Sequence, residues 1–349
     1  MRIAQVSPLF ESVPPKYYGG TERVVSYLTE ELVRQGHDVV LFASGDSVTE
    51  ARLVACSRRA LRLDKGSVDH LAHHIVQLER VYRHRDAFDL IHFHTDYLHY
   101  PLSRRESVPH LTTLHGRLDI PDLQPLYREF PDMPLVSISN AQREPLPRVN
   151  WLGTVYHGLP EDLYTFREKP GSYLAFLGRV SPEKRVDRAI RIARRVGMPI
   201  KIAAKVDLVD QAYFEDVIRP LLDDPGVEYL GEIGEGEKDE FLGNAWAFLF
   251  PIDWPEPFGL VMIEAMACGT PVIAYPHGSV GEVMEDGITG FVVNDVQDAV
   301  HAVERVNRLS RRRCREVFEE RFSVSRMARD YVTLYERVLN GGATLSKTA

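Results

Sequence analysis

Cysteine is scarce in this chain: three residues in 349, Cys56, Cys268 and Cys314, far apart and odd in number. That pattern excludes a disulfide framework and a cysteine-built zinc cluster, and it fits a reducing compartment. Long apolar runs are also missing; none approaches the roughly 20 residues that a membrane-spanning helix needs. The opening Met1-Arg-Ile-Ala-Gln-Val-Ser-Pro8 goes straight into a strand pattern without the apolar core of a signal peptide, so the cytoplasm is the expected location. Basic residues are not in excess. A formal net charge of -8 argues against nucleic acid as the main partner. No Asp-x-Asp triplet occurs, so a divalent-metal site of that pattern is not expected, and there is no short-period repeat.

What is present is ordinary in bulk and specific in detail. The hydrophobic fraction of 44% and charged fraction of 26% are those of a globular protein. A chain of this length exceeds what one hydrophobic core usually supports, so two domains are expected. Apolar strands alternate with helical patterns twice over, which predicts an α/β fold with two parallel sheets. Strands are expected at 3–7, 39–43, 90–93, 110–114 and 135–138, with a helix over 21–35 stopped by Gly36. The pattern restarts with strands at 172–177, 200–203, 227–230, 245–250 and 272–274, and with helices near 183–196 and 260–268. A polar stretch containing Pro160 and Pro170 marks the boundary. The expected division is 1–160, then 161–322, then a helix over 323–340 and a disordered tail at 341–349.

Ligands of open parallel sheets lie beyond the carboxyl ends of the strands. That selects the loops after Val6, Phe93, Leu114, Leu177, Phe250 and Ala274. The most informative is Pro255-Glu-Pro-Phe-Gly-Leu-Val-Met-Ile-Glu264. Pro257 favours an extended residue before it, which leaves Glu256 outside the following helix. Gly259 lets backbone approach a ligand, and the free N–H groups of Phe258 to Leu260 at the helix start favour an anion. Glu264 falls more than one turn inside. Two acceptors for sugar hydroxyls thus flank a phosphate-sized cradle, an arrangement suited to a nucleoside diphosphate sugar. In Gly178-Arg-Val-Ser-Pro-Glu-Lys184, Arg179 offers a fork of donors to a phosphate and Lys184 a compact second charge. Two cations of this kind stabilise a departing diphosphate without a metal.

The string Glu256-Pro-Phe-Gly-Leu-Val-Met-Ile-Glu-Ala-Met-Ala-Cys-Gly-Thr-Pro-Val-Ile-Ala274 resembles the Glu-x7-Glu motif of retaining GT-B glycosyltransferases, most closely family 4, and the similarity extends over nearly the whole chain. Gly178–Lys184 is similar to that family's Gly-Arg-x-x-x-x-Lys pyrophosphate site. The resemblance implies two Rossmann-like domains facing a central cleft: 1–160 for the acceptor, 161–322 for the donor, and the last helix crossing back to the first domain. It implies a co-substrate nucleotide sugar, UDP-glucose as the first choice, with no other cofactor and no metal. The acceptor would be a small molecule or a glycan. It places Gly20 near the donor diphosphate, with Gly19 and Thr21 shaping the acceptor entrance, and His115, followed by Gly116, beside the transferred sugar. Catalytic roles thereby fall to His115, Arg179, Lys184 and Glu256, and donor binding to these last three with Gly20, Phe258, Gly259, Leu260 and Glu264.

Departures from the family pattern leave some positions open. Gly278-Ser-Val-Gly-Glu282 resembles the family's Gly-Gly-x-x-Glu, with Ser279 in place of the second glycine. Gly278 and Ser279 are candidates for the donor loop, while Glu282 is as readily structural. His157 stands where an Asn is common. His92 with His94, and His70 with His74, have zinc-compatible spacings but no carboxylate or thiolate in register, so metal binding is not expected. Arg311-Arg-Arg313, with Arg308 and Arg315, has the charge for anionic lipid headgroups, but the nearby Glu316, Glu319 and Glu320 favour a solvated helix over peripheral membrane contact. Oligomeric state carries no signal. Rival readings are a GT-B relative that epimerises or hydrolyses a nucleotide sugar, and a non-catalytic nucleotide-sugar binder.

Overall fold

The computed structural model describes residues 1–345; positions 346–349 of the expected tail lie outside them. The chain divides into two compact units. One comprises Met1–Gly158 and the chain from Val324 onward, the other Leu159–Ser323.

The first unit is built on a seven-stranded sheet: β1 (Arg2–Val6), β2 (Asp38–Ser44), β3 (Arg52–Ser57), β4 (Leu90–Phe93), β5 (His110–Thr113), β6 (Leu135–Ser137) and β7 (Trp151–Thr154). The spatial order is β3-β2-β1-β4-β5-β6-β7, and every pairing is parallel. Val6 stands beside Phe42 on one neighbour and Phe93 on the other. These three join Leu78 and Val81 of the helix His70–Arg83 in one apolar cluster. Complete burial of such side chains contributes roughly 1.5–3 kcal/mol each, and it is why the central strands are mostly apolar, with Gln5 and His92 as buried polar exceptions. The last helix, Val324–Leu345, buries Tyr331 and Tyr335 completely. Sequence reasoning ends that helix at 340, but it continues through Gly341 to Leu345, because glycine lowers helix propensity without removing an N–H donor.

The second unit has six parallel strands: β8 (Tyr173–Val180), β9 (Ile200–Val206), β10 (Val227–Gly231), β11 (Ala245–Phe250), β12 (Val272–Ala274) and β13 (Gly290–Val292). Their order is β10-β9-β8-β11-β12-β13. The helix Val186–Val196 turns Val186, Ala189, Ile190 and Ala193 onto the sheet.

Strand order decides where a ligand fits. The order reverses between β1 and β4 in the first unit and between β8 and β11 in the second. Crevices open at such switch points beyond the carboxyl ends of the strands. Two sequence-based bounds change here. β8 runs past Leu177, so Gly178 and Arg179 pair with Ala204 and Lys205 as strand residues. The helix expected from 183 starts only at Val186, because Arg185 before it takes a left-handed conformation, φ 57°. β3, β7 and β13 had no sequence signal: β7 is half-buried throughout and β13 is three residues long. Among the described residues no helix is long and apolar enough to cross a membrane.

Candidate active site

In the second unit, the loops after β8 and β11 bring the expected residues together. Lys184 is ion-paired with Glu256, whose Oε2 also accepts from Trp254 Nε1 at 3.1 Å. The Lys184 ammonium lies 4.8 Å from the Trp254 ring centre and 5.6 Å from that of Phe250. A cation held against aromatic faces and one carboxylate keeps a fixed position. The left-handed Arg185 beside it is held by both oxygens of Asp187, at 2.9 and 3.0 Å, and by Asp253 at 2.8 Å. A non-glycine residue with positive φ is costly and persists where the surroundings over-determine it. Trp254 and Arg185 were absent from the sequence-based set, since neither indole placement nor backbone strain has a local signature.

Arg179 extends from β8 into an acidic surround. Its Nη2 donates to Glu183 Oε1 at 2.5 Å, and Asp207 and Asp210 lie 3.5 and 3.7 Å away. Burial pushes the Glu183 carboxyl up, but its own backbone N–H and Arg179 bring it below the ordinary range. Burial raises Asp210 against the opposing pull of Arg179. Both expected phosphate-binding cations are therefore matched by carboxylates, where sequence alone left them unopposed.

Gly259, at φ 78°, precedes the helix Leu260–Ala267. A Cβ there would stand 2.8 Å from Met262 Cε and 3.1 Å from Phe250 Cζ, so both conformation and packing require glycine. The Phe258 side chain is buried against Phe322, ring centres 6.1 Å apart, which leaves its backbone as the part that can meet a ligand. Glu264 is 1% exposed. Its Oε1 accepts from Lys238 Nζ at 2.9 Å, while its Oε2 is buried without a hydrogen-bond partner. A buried carboxylate oxygen left unmatched is a ready acceptor for a ligand hydroxyl. Lys238, from the helix Glu235–Gly243, is a further residue that sequence reasoning missed.

Gly278 and Ser279 serve the same loop from behind. Gly278 has φ 59°, and a Cβ on it would lie 2.3 Å from Glu256 O and 2.4 Å from Glu256 N. The buried Ser279 donates its hydroxyl to Phe258 O at 2.8 Å and its N–H to Glu256 O at 2.9 Å. The departure from a second glycine thus supplies a bond that fixes the Glu256–Phe258 backbone.

In the first unit, Gly19 precedes the helix Gly20–Arg34, and a Cβ there would stand 2.8 Å from Pro15 Cβ. Gly20 is exposed and Thr21 half-buried at that helix start. Behind them Glu22, buried and facing Glu11, has a carboxyl raised to about 7, chiefly by burial. His115 follows β5, and burial lowers its imidazole to about 3. Its loop is pinned by Gln142, whose Nε2 donates to Leu114 O at 2.9 Å and Gly116 O at 2.8 Å. His157, left open by the sequence, lies flat against His115, 5.3 Å between centres and 17° between planes. His92 and His94 are buried within hydrogen bonds to protein partners, and His74 Nε2 accepts from Leu9 N at 3.2 Å. Among the described residues no group of three or more His, Cys, Asp or Glu gathers as a metal site.

The arginine-rich helix corrects the expectation of a solvated face. Arg311 is buried and donates to Arg167 O, Ala245 O, Gly243 O and Thr270 Oγ1, and Arg315 donates to Tyr164 O and Ala267 O. These guanidinium groups satisfy carbonyls at strand and helix ends, while Arg313 pairs with Glu316 and Glu320.

Known proteins resemble this chain over most of its length. The model of "Glycosyltransferase Family 4" matches residues 18–177 and that of "Glycosyl transferases group 1" residues 165–326. The chain is 28% identical over 192 residues to an α-maltose-1-phosphate synthase of Mycobacterium tuberculosis, a match covering 47% of this chain and about half, 49%, of that relative's length. It is 26% identical over 389 aligned residues to a glycogen synthase of the same organism, covering 91% of each. Sucrose-phosphate synthase from Thermosynechococcus elongatus has a similar structure: TM-score 0.81, 18% identity, 98% of this chain and 100% of that one. Anabaena Alr3699/HepE in complex with UDP-glucose aligns at TM-score 0.71 and 16% identity, over 99% and 100% of the two chains. With two parallel sheets, strand reversals at the site loops and both family models in succession, the chain belongs to the GT-B glycosyltransferases of the family-4 type.

Proposed function

We propose that this protein transfers a hexose from a nucleoside diphosphate sugar, UDP-glucose as the first choice, to a hydroxyl of a small molecule or glycan, with retention of anomeric configuration and without a metal. One observation carries the reading: Glu256 and Glu264 bracket a glycine-led helix start, with Lys184 fixed on the first carboxylate and a buried oxygen of the second unmatched. UDP-glucose is supported by its presence in the HepE complex, and hexose transfer by the names of the synthase relatives.

In this mechanism the acceptor hydroxyl attacks the anomeric carbon on the face from which the diphosphate leaves. The C–O bond to the phosphate breaks as the new glycosidic bond forms, and the hydroxyl proton passes to a phosphate oxygen. Lys184, Arg179 and the helix start at Phe258–Leu260 stabilise the charge that develops on the leaving group. Glu264 Oε2 accepts from the ribose, Glu256 from a sugar hydroxyl, and His115 steadies the sugar. Gly20 lies by the donor diphosphate, and Gly19 and Thr21 shape the acceptor entrance. A cytoplasmic setting goes with three buried, unpaired thiols.

The anomeric proton coupling of fresh product, read by NMR before mutarotation, tests this. An α-product from an α-donor, formed at full rate in EDTA, is expected. A β-product removes the retaining mechanism, and activity lost in EDTA but restored by manganese removes the metal-free one.

A further inference from the structure

A chain of buried polar groups runs through the first unit and ends on His115. Gln5 projects from the middle of β1, His92 and His94 from β4 and its end, and Tyr335 from the last helix. The Gln5 Nε2 donates to the Tyr335 hydroxyl at 3.2 Å. The Gln5 Oε1 contacts His94 Nε2 at 2.8 Å, and His94 Nδ1 contacts His115 Nε2 at 2.9 Å. From Tyr335 a second branch reaches His92 Nδ1 at 2.8 Å, and His92 Nε2 reaches Thr113 Oγ1 at 2.8 Å. Gln5, His92, His94 and Tyr335 are shut off from solvent, so each link must be satisfied within the chain.

Donor and acceptor arithmetic gives the chain a direction. Burial pushes the His92, His94 and His115 imidazoles down, so each ring is neutral and carries a single N–H. An amide oxygen only accepts, so His94 must hold its proton on Nε2. Its Nδ1 is then a lone pair and accepts from His115 Nε2–H. That leaves His115 Nδ1 as a lone pair, and it is buried with no partner in the chain. The Tyr335 hydroxyl accepts from Gln5 and donates to His92 Nδ1, which makes the second branch consistent. Turning the Gln5 amide over would reverse each of these bonds together. One side chain therefore selects between two protonation patterns, and the structure holds it in the one described.

We propose that Gln5 and His94 are positioning residues for His115: through His94, the Gln5 amide holds the His115 ring in the Nε2–H tautomer and aims its Nδ1 lone pair at a hydroxyl of the substrate. This rests on the reading that His115 meets the transferred sugar. A lone pair at that place accepts from a sugar hydroxyl and repels an ionised phosphate oxygen, which offers no proton. The flat contact with His157 keeps the ring from rotating away. The final helix enters the same arrangement through Tyr335, which fixes the amide that fixes the imidazole.

The test is two-bond 15N–1H spectroscopy of the protein labelled in histidine, with His115→Gln for assignment, together with steady-state kinetics of Gln5→Met and Gln5→Glu. The wild type is expected to show His115 protonated on Nε2. Gln5→Met, of similar volume but with no acceptor oxygen, is expected to show mixed tautomers at His115 and about tenfold lower kcat, the scale of one misdirected hydrogen bond, with donor KM within about twofold. Gln5→Glu keeps the acceptor and should retain the tautomer and most of the turnover. A wild-type His115 protonated on Nδ1 overturns the proposal without any variant having to fold, and so does an unchanged tautomer in Gln5→Met. A shifted tautomer with unchanged turnover leaves the relay standing but removes His115 from the reaction, which overturns the catalytic role instead.

Discussion

Replacing Glu264 by Gln separates its ion pair with Lys238 from the ribose contact proposed for its other oxygen. Its Oε1 binds Lys238 at 2.9 Å, and its Oε2 is buried and unmatched. Lys238 keeps a second carboxylate, Glu235, at 3.4 Å, so the ammonium is not stranded by the change. The loss of one charged hydrogen bond then costs about 1.5–3 kcal/mol of stability, at the lower end because the Gln oxygen still accepts. Nucleotide binding loses a comparable charge-assisted bond, since the atom meeting the ribose becomes an amide donor. At about 1.4 kcal/mol per decade, the affinity for UDP or UDP-glucose falls about ten- to hundredfold. Lys238→Met supplies the contrast. It strands a carboxylate that is 1% exposed, and removing one partner of a buried pair costs about 3–5 kcal/mol, so this variant should be the less stable of the two. Thermal melts rank the stabilities, and calorimetric titration with UDP and UDP-glucose at one salt concentration gives the affinities. Wild-type affinity in Glu264→Gln refutes the placement of this residue in the donor site, whatever happens to its melting temperature.

Gly278→Ala sets a Cβ 2.3 Å from the Glu256 carbonyl oxygen in a left-handed backbone, and should cost about 3 kcal/mol by overpacking and strain together. Gly116→Ala, which meets nothing within 4 Å, is the control; equal melting temperatures for the two variants would refute the contact. Lys184→Ala and Arg179→Ala each leave carboxylates unpaired and so lower the melting temperature, but they should also lower kcat with saturating donor in protein that is still folded, because each cation matters most as charge develops on the leaving group. Wild-type turnover in both refutes the phosphate assignment. Acid should destabilise the first unit. Burial holds His92, His94, His99 and His157 well below 6.5, so their stabilising contribution is complete above that pH and is lost as pH falls, by about 1.4 kcal/mol per ring and unit. Glu22, raised to about 7, acts the other way, since its folded form gains the proton first. With His115 also lowered, to about 3, the buried rings outweigh that one carboxyl, so stability and melting temperature are expected to fall between pH 7.5 and 5.5. A melting temperature that is flat or rises over that range contradicts it.

Sequence alone determined the parallel α/β architecture, because strands buried on both faces read as largely apolar runs, and alternation with helices requires crossovers. It also singled out the loop that carries Glu256 and Glu264. Pro257, Gly259 and the two glutamates act through local backbone rules that need no tertiary partner, and the structure brings Glu256 and Lys184 into contact as the loops converge. Other features were beyond local rules. Lys238 reaches Glu264 across 26 residues and Gln5 reaches Tyr335 across 330, distances over which no spacing carries information. Arg311 has the composition of a surface cation, yet it lies buried on three carbonyls and the Thr270 hydroxyl, acceptors that only the assembled fold brings together. The carboxylates around Arg179 and the lone pair left on His115 likewise follow from packing. A residue's charge is written in the sequence, but its partner and its proton are set by what the fold places within about 3 Å of it.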